Sequence, residues 1–185
     1  VKAAYFGFLD RFRALPGDYT GATTNIANVV ATAACGNGNG NGNGRIETTN
    51  NENILAWEHL SKAGFINGSY TCAAPPVTSS SAPANAFAVF LQLVWDLKFD
   101  DPSGESTTAR HNLKPGGQIP SDLLGEVDRK IDDGSATGGV FRFSSYDGGA
   151  GAPDRTKCYL AAAPSPCSLP SCPPDESEPT GSGMS

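Results

Sequence analysis

The chain of 185 residues is long enough for one domain with a well-buried core. Its apolar fraction of 38% excludes glycine, and the 22 glycines bring the total close to the ordinary globular range, which argues against disorder throughout. The formal net charge is −6, and the 13 lysines and arginines are dispersed along the chain. Such a surface would repel nucleic acid, so we do not expect nucleic acid as a partner.

The cysteine content points to an oxidising compartment. None of the spacings among the five cysteines gives the paired C-x-x-C units of a structural zinc site, and only two histidines are available as further ligands. Only 17% of the residues are charged, a balance more often met in exported proteins. We therefore predict disulfides.

The chain opens on a predicted amphipathic helix, which Pro16 and Gly17 end. Apolar residues recur along it at steps of three and four and form one stripe, which consists of Val1, Tyr5, Phe8, Phe12 and Leu15. We expect Tyr5, Phe8 and Phe12 to be buried against a sheet. Nothing resembling an N-cap precedes the first residue, so we expect the helix to continue upstream.

A second helix is predicted from the Thr49 and Glu52 pair, which has the spacing of a capping box, and Gly64 marks its end. Its inner face carries Ile54, Trp57 and Leu60.

Polar residues of the second helix are expected on its outer face. Glu58 and Lys62 have the i, i+4 spacing of a favourable surface pair. His59 has no partner at metal-ligand spacing, and we interpret it as a surface or boundary histidine.

A long strand is predicted from residue 87 to residue 99, where every odd position is apolar. The even positions mix apolar and polar residues, as in an antiparallel sheet covered on one side. A third helix is predicted with Ser121 as its N-cap and Gly134 as its end. Its apolar residues recur at steps of four and are Leu123, Val127 and Ile131.

Two further strands are predicted in the segments GGVFRFSSY and KCYLAAA, on either side of a glycine-rich loop. Asp147 and Asp154 flank this loop and could hold one calcium ion if the loop donates backbone oxygens. Solvation of the two carboxylates is the preferred interpretation.

The Asn-Gly run between Gly36 and Gly44 lacks the carboxylates of a calcium loop and the Gly-Lys-Ser or Gly-Lys-Thr ending of a phosphate loop. Asn and Gly tolerate the left-handed backbone region, so we predict a series of solvated turns. The alternative is a loop that contacts a neighbouring subunit. His59 and His111 lie outside any recognisable nucleophile motif, so we predict neither a catalytic nor a cofactor site, and not an enzyme.

Four segments together carry a resemblance to a known family: ALPGDYTGA, NGNGNGNGRI, AWEHLSKAGFINGSY and DRKIDDGSATGGVFRF, which span most of residues 13 to 143. Their order and wording resemble bacterial type IV pilin-like proteins and the pseudopilins of type II secretion systems. The resemblance implies an α+β fold, in which a long N-terminal helix anchors the precursor in the inner membrane with its first half and packs on an antiparallel sheet with its second half.

Under this resemblance, residues 1–19 contain the second half of the long helix, residues 1–172 form the globular domain and residues 173–185 form an irregular tail. An apolar anchor and a short basic leader ending in glycine would precede Val1. The implied function is that of a structural subunit of an extracellular or periplasm-spanning filament at the cell surface. Its partners would be copies of itself or other pilin-like subunits, together with the inner-membrane assembly machinery.

Two disulfides are predicted. Cys35 and Cys72 bracket the glycine-rich loop and the second helix, and a bridge there would restrain the region least able to hold itself by apolar burial. Cys158 is expected to pair with Cys167 or Cys172, and pilin-like proteins commonly close such a C-terminal loop. Cys172 is preferred, because prolines stiffen the shorter connection, and this choice leaves Cys167 unpaired.

A free secreted binding module, such as an adhesin or a glycan-binding domain, is the alternative from another functional class. Exposed aromatic clusters would favour it, whereas Trp57 and Trp95 both fall on predicted buried faces.

Overall fold

A computed structural model describes residues 1–101 and 104–144. Four α-helices are present in this part of the chain: α1 (Lys2–Phe12), α2 (Ala22–Asn25), α3 (Glu52–Lys62) and α4 (Ser121–Ile131). Short 3-10 helices span Ala33–Gly38 and Thr49–Asn51. The strands are β1 (Gln92–Asp96), β2 (Asp100–Asp101), β3 (Gly104–Glu105) and β4 (Arg110–Lys114). These helices and small antiparallel sheets confirm the α+β class in its broad sense.

None of the helices in the described ranges has the length and apolar character required to cross a bilayer.

The chain divides into two compact units, of which the first contains Val1–Asp96 and Ala109–Gly116. Its core is built around α3, which packs against both α1 and β1. Every residue of α3 from position 54 to position 60 is buried, so this helix has no solvated face along its centre. The apolar core includes Phe8, Ile46, Trp57, Leu60 and Leu93.

The central part of the stripe on α1 packs mainly against α3 and its C-terminal turn, which differs from the sheet contact predicted for it, and Val1 is exposed. Phe8 is fully buried, and its ring lies 6.1 Å from the ring of His59 and 5.9 Å from that of Phe65. Phe12 is half-buried beside Phe8. Tyr5 is the residue of the stripe whose ring approaches the sheet, at 6.3 Å from His111.

The long strand predicted over residues 87–99 is wrong, because regular pairing is confined to β1. This strand pairs antiparallel with β4, from Gln92 opposite Lys114 to Asp96 opposite Arg110. The residues before it form a turn in which the Asn85 side-chain oxygen accepts hydrogen bonds from the amides of Phe87 and Val89. An Asn side chain that binds nearby amides competes with the sheet ladder, which a pattern of apolar positions does not reveal.

The predicted capping box of α3 is also wrong. Residues 49–51 form a 3-10 turn, and Asn51, in the left-handed region, is the N-cap. No side chain caps the first amides of this helix. The Glu52 carboxylate instead binds the amides of Asn41 and Glu47. The predicted end is correct, since α3 stops just before Gly64, which has a positive φ of 80°.

The second unit contains Leu97–Thr108 and the chain from Gly117 onward. Strands β2 and β3 pair antiparallel, and the amide of Asp100 donates to the carbonyl of Phe143. The side chain of Arg142 forms an ion pair with Asp101 and lies over the ring of Phe99. Residues 138–144 form bends and irregular backbone rather than the predicted strand.

Helix α4 begins at Ser121, so its N-cap is Pro120 rather than the predicted Ser121. Its apolar stripe does not enter a core: Leu123 and Ile131 are 47% and 60% exposed. The buried positions of the helix are instead Gly125 and Asp128.

Candidate functional site

The Asn-Gly loop is organised around one buried carboxylate. Asp18 lies directly after Pro16 and Gly17, in the turn that follows α1, and its side chain is almost fully buried. One carboxylate oxygen accepts the amides of Gly42 and Asn43 at 2.7 and 3.0 Å, and the other accepts the amide of Gly44 at 2.8 Å. Successive amides that converge in this way form a nest for an anion, and here the protein's own carboxylate occupies it.

The prediction of a series of solvated turns is correct only in part, because residues 41–44 are exposed while the earlier part of the loop packs on the turn. The backbone of the loop lies so close to the turn at residues 16–18 that a Cβ at Gly40 would collide with the backbone of Asp18. Gly17 has a φ of 87°, and a Cβ there would meet the carbonyl oxygen of Glu52. Glycine is therefore required at both positions.

His59 joins the same turn to the start of the loop. The amide of Gly17 donates to Nδ1 of His59 at 3.0 Å, and Nε2 lies 3.1 Å from the carbonyl oxygen of Gly38. Because Nδ1 is an acceptor, the ring is neutral and its proton is on Nε2. His59 is fully buried, which contradicts the prediction of a surface or boundary histidine.

Two glutamates of α3 hold other parts of the chain. Glu58 is fully buried and accepts the amides of Val30 and Cys72, each at 2.7 Å. The predicted surface pair between Glu58 and Lys62 is therefore wrong, and Lys62 donates to Ser69 instead. Each buried carboxylate of α3 is satisfied by backbone amides, which offsets the cost of removing it from water.

The Cys35–Cys72 disulfide predicted from the sequence is present, with an S–S distance of 2.05 Å. Both cysteines are buried beside Ile54 and Leu55 of α3. The bridge closes a loop that contains the Asn-Gly run and α3, and in the chain-entropy model it stabilises the fold by about 3–4 kcal/mol.

Burial sets the direction of the pKa shifts at this site. It lowers the pKa of His59 to about 4, against the hydrogen bond to Gly38, which raises it. Burial raises the pKa of Glu52, while the amides of Glu47 and Asn41 act in the opposite direction. Burial also lowers the pKa of His111, whose Nε2 accepts the amide of Ile46.

A second cluster lies where α1 meets the sheet and combines aromatic rings with a cation. The ring of Trp95 lies 4.8 Å from that of His111, and the Arg45 guanidinium lies 5.7 Å from the Trp95 centroid. Tyr5 connects this group to Phe6, which is 53% exposed. Trp95 is half-buried rather than part of the core.

Three aspartates of the second unit, Asp128, Asp132 and Asp133, have carboxylate oxygens within 4.8 Å of one another. Two of these side chains already bind backbone amides, because Asp132 accepts from Phe141 and Asp133 accepts from Ser135. The aspartates predicted as possible calcium ligands, Asp147 and Asp154, lie outside the described residues. The same holds for the three C-terminal cysteines, Cys158, Cys167 and Cys172.

The roles of Asp18, Glu52 and Glu58 as structural ligands of the loops were not predicted from the sequence. One signal was available in the sequence. Glu58 and His59 stand between the apolar residues Trp57 and Leu60, so they lie next to the buried face of the helix. The site as built can fix loop conformations, because its carboxylates and the His59 ring are engaged with backbone groups.

The chain matches no family model, and the comparisons with curated proteins and with solved structures give no significant match either.

Proposed function

We propose that this chain is the globular part of a filament subunit of the type IV pilin or type II secretion pseudopilin class. The observation that carries the proposal is the meeting of three resembling segments at one site. Gly17 and Asp18 come from ALPGDYTGA, the nest comes from NGNGNGNGRI, and His59 comes from AWEHLSKAGFINGSY. Because the three segments contact one another, they form one structural unit. Their contact supports the interpretation that the segments carry the family resemblance jointly.

The two sides of α1 suit a subunit that packs within a filament. Phe8 binds the helix to its own domain, while Phe6 leaves more than half of its surface exposed on another side. Large exposed aromatic side chains are favourable anchors in protein–protein contacts. Copies of this chain, or related subunits, are the partners that the proposal requires, with assembly from the inner membrane and a final location at the cell surface.

A disulfide at the centre of the first unit is consistent with that location. Cys35 and Cys72 form a structural bridge, and such bridges persist in oxidising compartments. We also propose that the α+β fold of this chain is pilin-like.

The test uses the complete natural protein in its native host. Antibodies against the domain are expected to label filaments in sheared surface fractions by electron microscopy. Phe6→Ser is expected to reduce the filament yield at least several-fold without lowering the melting temperature of the isolated domain. Phe87→Ser is the matched control, since Phe87 is another exposed phenylalanine of the same unit.

The proposal would be contradicted by a complete protein that is released as free monomers and never sediments with filaments. It also requires an apolar stretch of about 20 residues before Val1 in the complete coding sequence, which can be read directly. A cleavable secretory signal without a retained apolar helix would remove the proposal.

The aromatic cluster favours a second candidate function, a secreted binding module. Its rings and the Arg45 guanidinium combine apolar faces with hydrogen-bond donors, as sugar-binding surfaces do. Binding of the isolated domain to a glycan array, abolished in Trp95→Ala, would support this alternative over the filament subunit.

A further inference from the structure

The His59 ring connects α3 both to the turn that contains Gly17 and to the start of the Asn-Gly loop. Its Nδ1 holds the amide of Gly17 and its Nε2 donates to the carbonyl of Gly38, which are 21 positions apart in the chain. One face of the ring is covered as well, since the Phe8 ring is stacked at 6.1 Å with an interplanar angle of 7°. The ring thus has no exposed edge.

Protonation of this ring is incompatible with the observed contacts. An imidazolium carries a proton on both nitrogens, so Nδ1 can no longer accept the amide of Gly17. That amide would be left buried without an acceptor, and the new charge would be buried beside an aromatic ring. The closed arrangement therefore requires the neutral ring.

The charged groups around His59 do not offer the imidazolium a partner. Helix α1 contributes the uncharged Phe8, and the turn contributes Asp18, whose two oxygens are engaged by the Asn-Gly loop. On α3 itself, Glu58 binds the amides of Val30 and Cys72. Glu52 binds the amides of Glu47 and of Asn41, and the second of these is a further contact of α3 with the Asn-Gly loop that opening also breaks. Burial raises the pKa of Glu52, so its protonation favours the folded state at lower pH and acts against any loss of stability from His59.

We propose that His59 is an acid-sensitive latch, whose protonation releases the Gly17–Asp18 turn and the Asn-Gly loop from α3 while the rest of the first unit stays folded. The remainder is held independently. Trp57 and Leu60 are buried in the apolar core, and Cys35 is tied to Cys72. The release is a local opening rather than global unfolding. This inference does not depend on the proposed function.

The sign of the effect follows from linkage. The closed state binds a proton at His59 only at a pKa of about 4, whereas the ring in the open state has an ordinary pKa near 6.5. The open state therefore binds more protons, and closure weakens as the pH falls from about 6.5 to about 4. The opening equilibrium is expected to rise roughly 30-fold between pH 7.5 and 5, and roughly 100-fold by pH 4.

Amide hydrogen exchange of the disulfide-bonded protein, corrected for intrinsic rates, tests this latch. Protection at Gly17 and Asn41, whose amides bind His59 and Glu52 of α3, is expected to fall with pH by these factors, while the amides of β1 and β4 keep theirs. His59→Gln, which can hydrogen-bond but does not titrate, is expected to abolish the pH dependence. His111→Gln is the control and is expected to retain it.

Three results would overturn the latch: loop protection that does not depend on pH, simultaneous loss of protection in the loop and the strands, or an unchanged pH dependence in His59→Gln. If His59→Gln does not fold, an NMR titration of the unmodified protein decides instead. The His59 ring and the Gly17 amide are expected to shift together at a pH well below 6.5, and a His59 ring that titrates at its ordinary pKa refutes the proposal.

Discussion

Helices α3 and α4 have the same length of 11 residues, yet they use their side chains in opposite ways. Helix α3 buries two glutamates and a histidine, Glu52, Glu58 and His59. In contrast, α4 exposes two of its large apolar side chains, Leu123 and Ile131. An amphipathic pattern places polar residues outside and apolar residues inside. Neither helix follows that rule.

The difference is explained by what surrounds each helix. Loops wrap α3, and their backbone amides need acceptors once they leave water, which Glu52 and Glu58 supply. The polar side chains of α3 are therefore part of the core. In α4, Lys130 and Glu126 form an exposed i, i+4 pair, as expected for a solvated surface. Burial of side chains in this protein therefore depends on hydrogen bonding to backbone amides as well as on the apolar pattern.

The largest effect is expected from the apolar core beside α3. Phe8→Ala is expected to reduce the free energy of unfolding by roughly 3–5 kcal/mol, since Phe8 is fully buried. Leu123→Ala on α4 is the matched change and should stay within about 0.5 kcal/mol of the unmodified protein. Urea denaturation measures both. Similar losses for the two variants would remove the distinction between the helices.

A smaller effect is expected from the buried carboxylates. Glu58→Ala leaves the amides of Val30 and Cys72 without an acceptor, which should cost about 2–3 kcal/mol. Glu126→Ala removes an exposed pair and should leave the melting temperature unchanged. Thermal unfolding of both variants provides the comparison, and an unchanged melting temperature in Glu58→Ala would show that this carboxylate is not needed by the loops.

The smallest effect is expected from the close backbone approach in the loop. Gly40→Ala forces the loop away from the backbone of Asp18, at a cost of about 1–3 kcal/mol. Gly44→Ala meets open space, so it should lose only the strain of its positive φ, about 1 kcal/mol. The urea denaturation midpoints of the two variants are compared, and the lower midpoint is expected for Gly40→Ala. A reversed order would mean that the loop does not pack on the turn.

The sequence predicted those features that depend on local pattern. The helical character of residues 2–12 and 52–62, the stop at Gly64, the α+β class and the Cys35–Cys72 bridge were all accessible in this way. The same reasoning failed where a side chain binds a distant backbone segment. Asp18 reaches amides 24 to 26 positions away, and no local period records such a contact.

The strand predicted over residues 87–99 failed for a related reason. Alternation of apolar residues continues through Phe87 and Leu97, but both are exposed. The chain turns before β1, where the Asn85 side chain accepts the amides of Phe87 and Val89. These hydrogen bonds replace the strand pairing that the apolar pattern predicted.

A buried Asp18 carboxylate organises the Asn-Gly loop. Hydrogen exchange at the amides of Gly42, Asn43 and Gly44 near neutral pH is the most direct test of this role. In the unmodified protein these three amides should exchange at least roughly tenfold more slowly than in an unstructured chain. Asp18→Ala should abolish the protection at Gly44, whose amide binds this carboxylate, whereas Gly42 and Asn43 retain the Asp18 carbonyl and the Asn41 side chain as acceptors. Asp10→Ala, at an exposed position of α1, should preserve the protection of all three amides. Equally fast exchange in all three proteins would show that the loop is a solvated turn and would contradict the account.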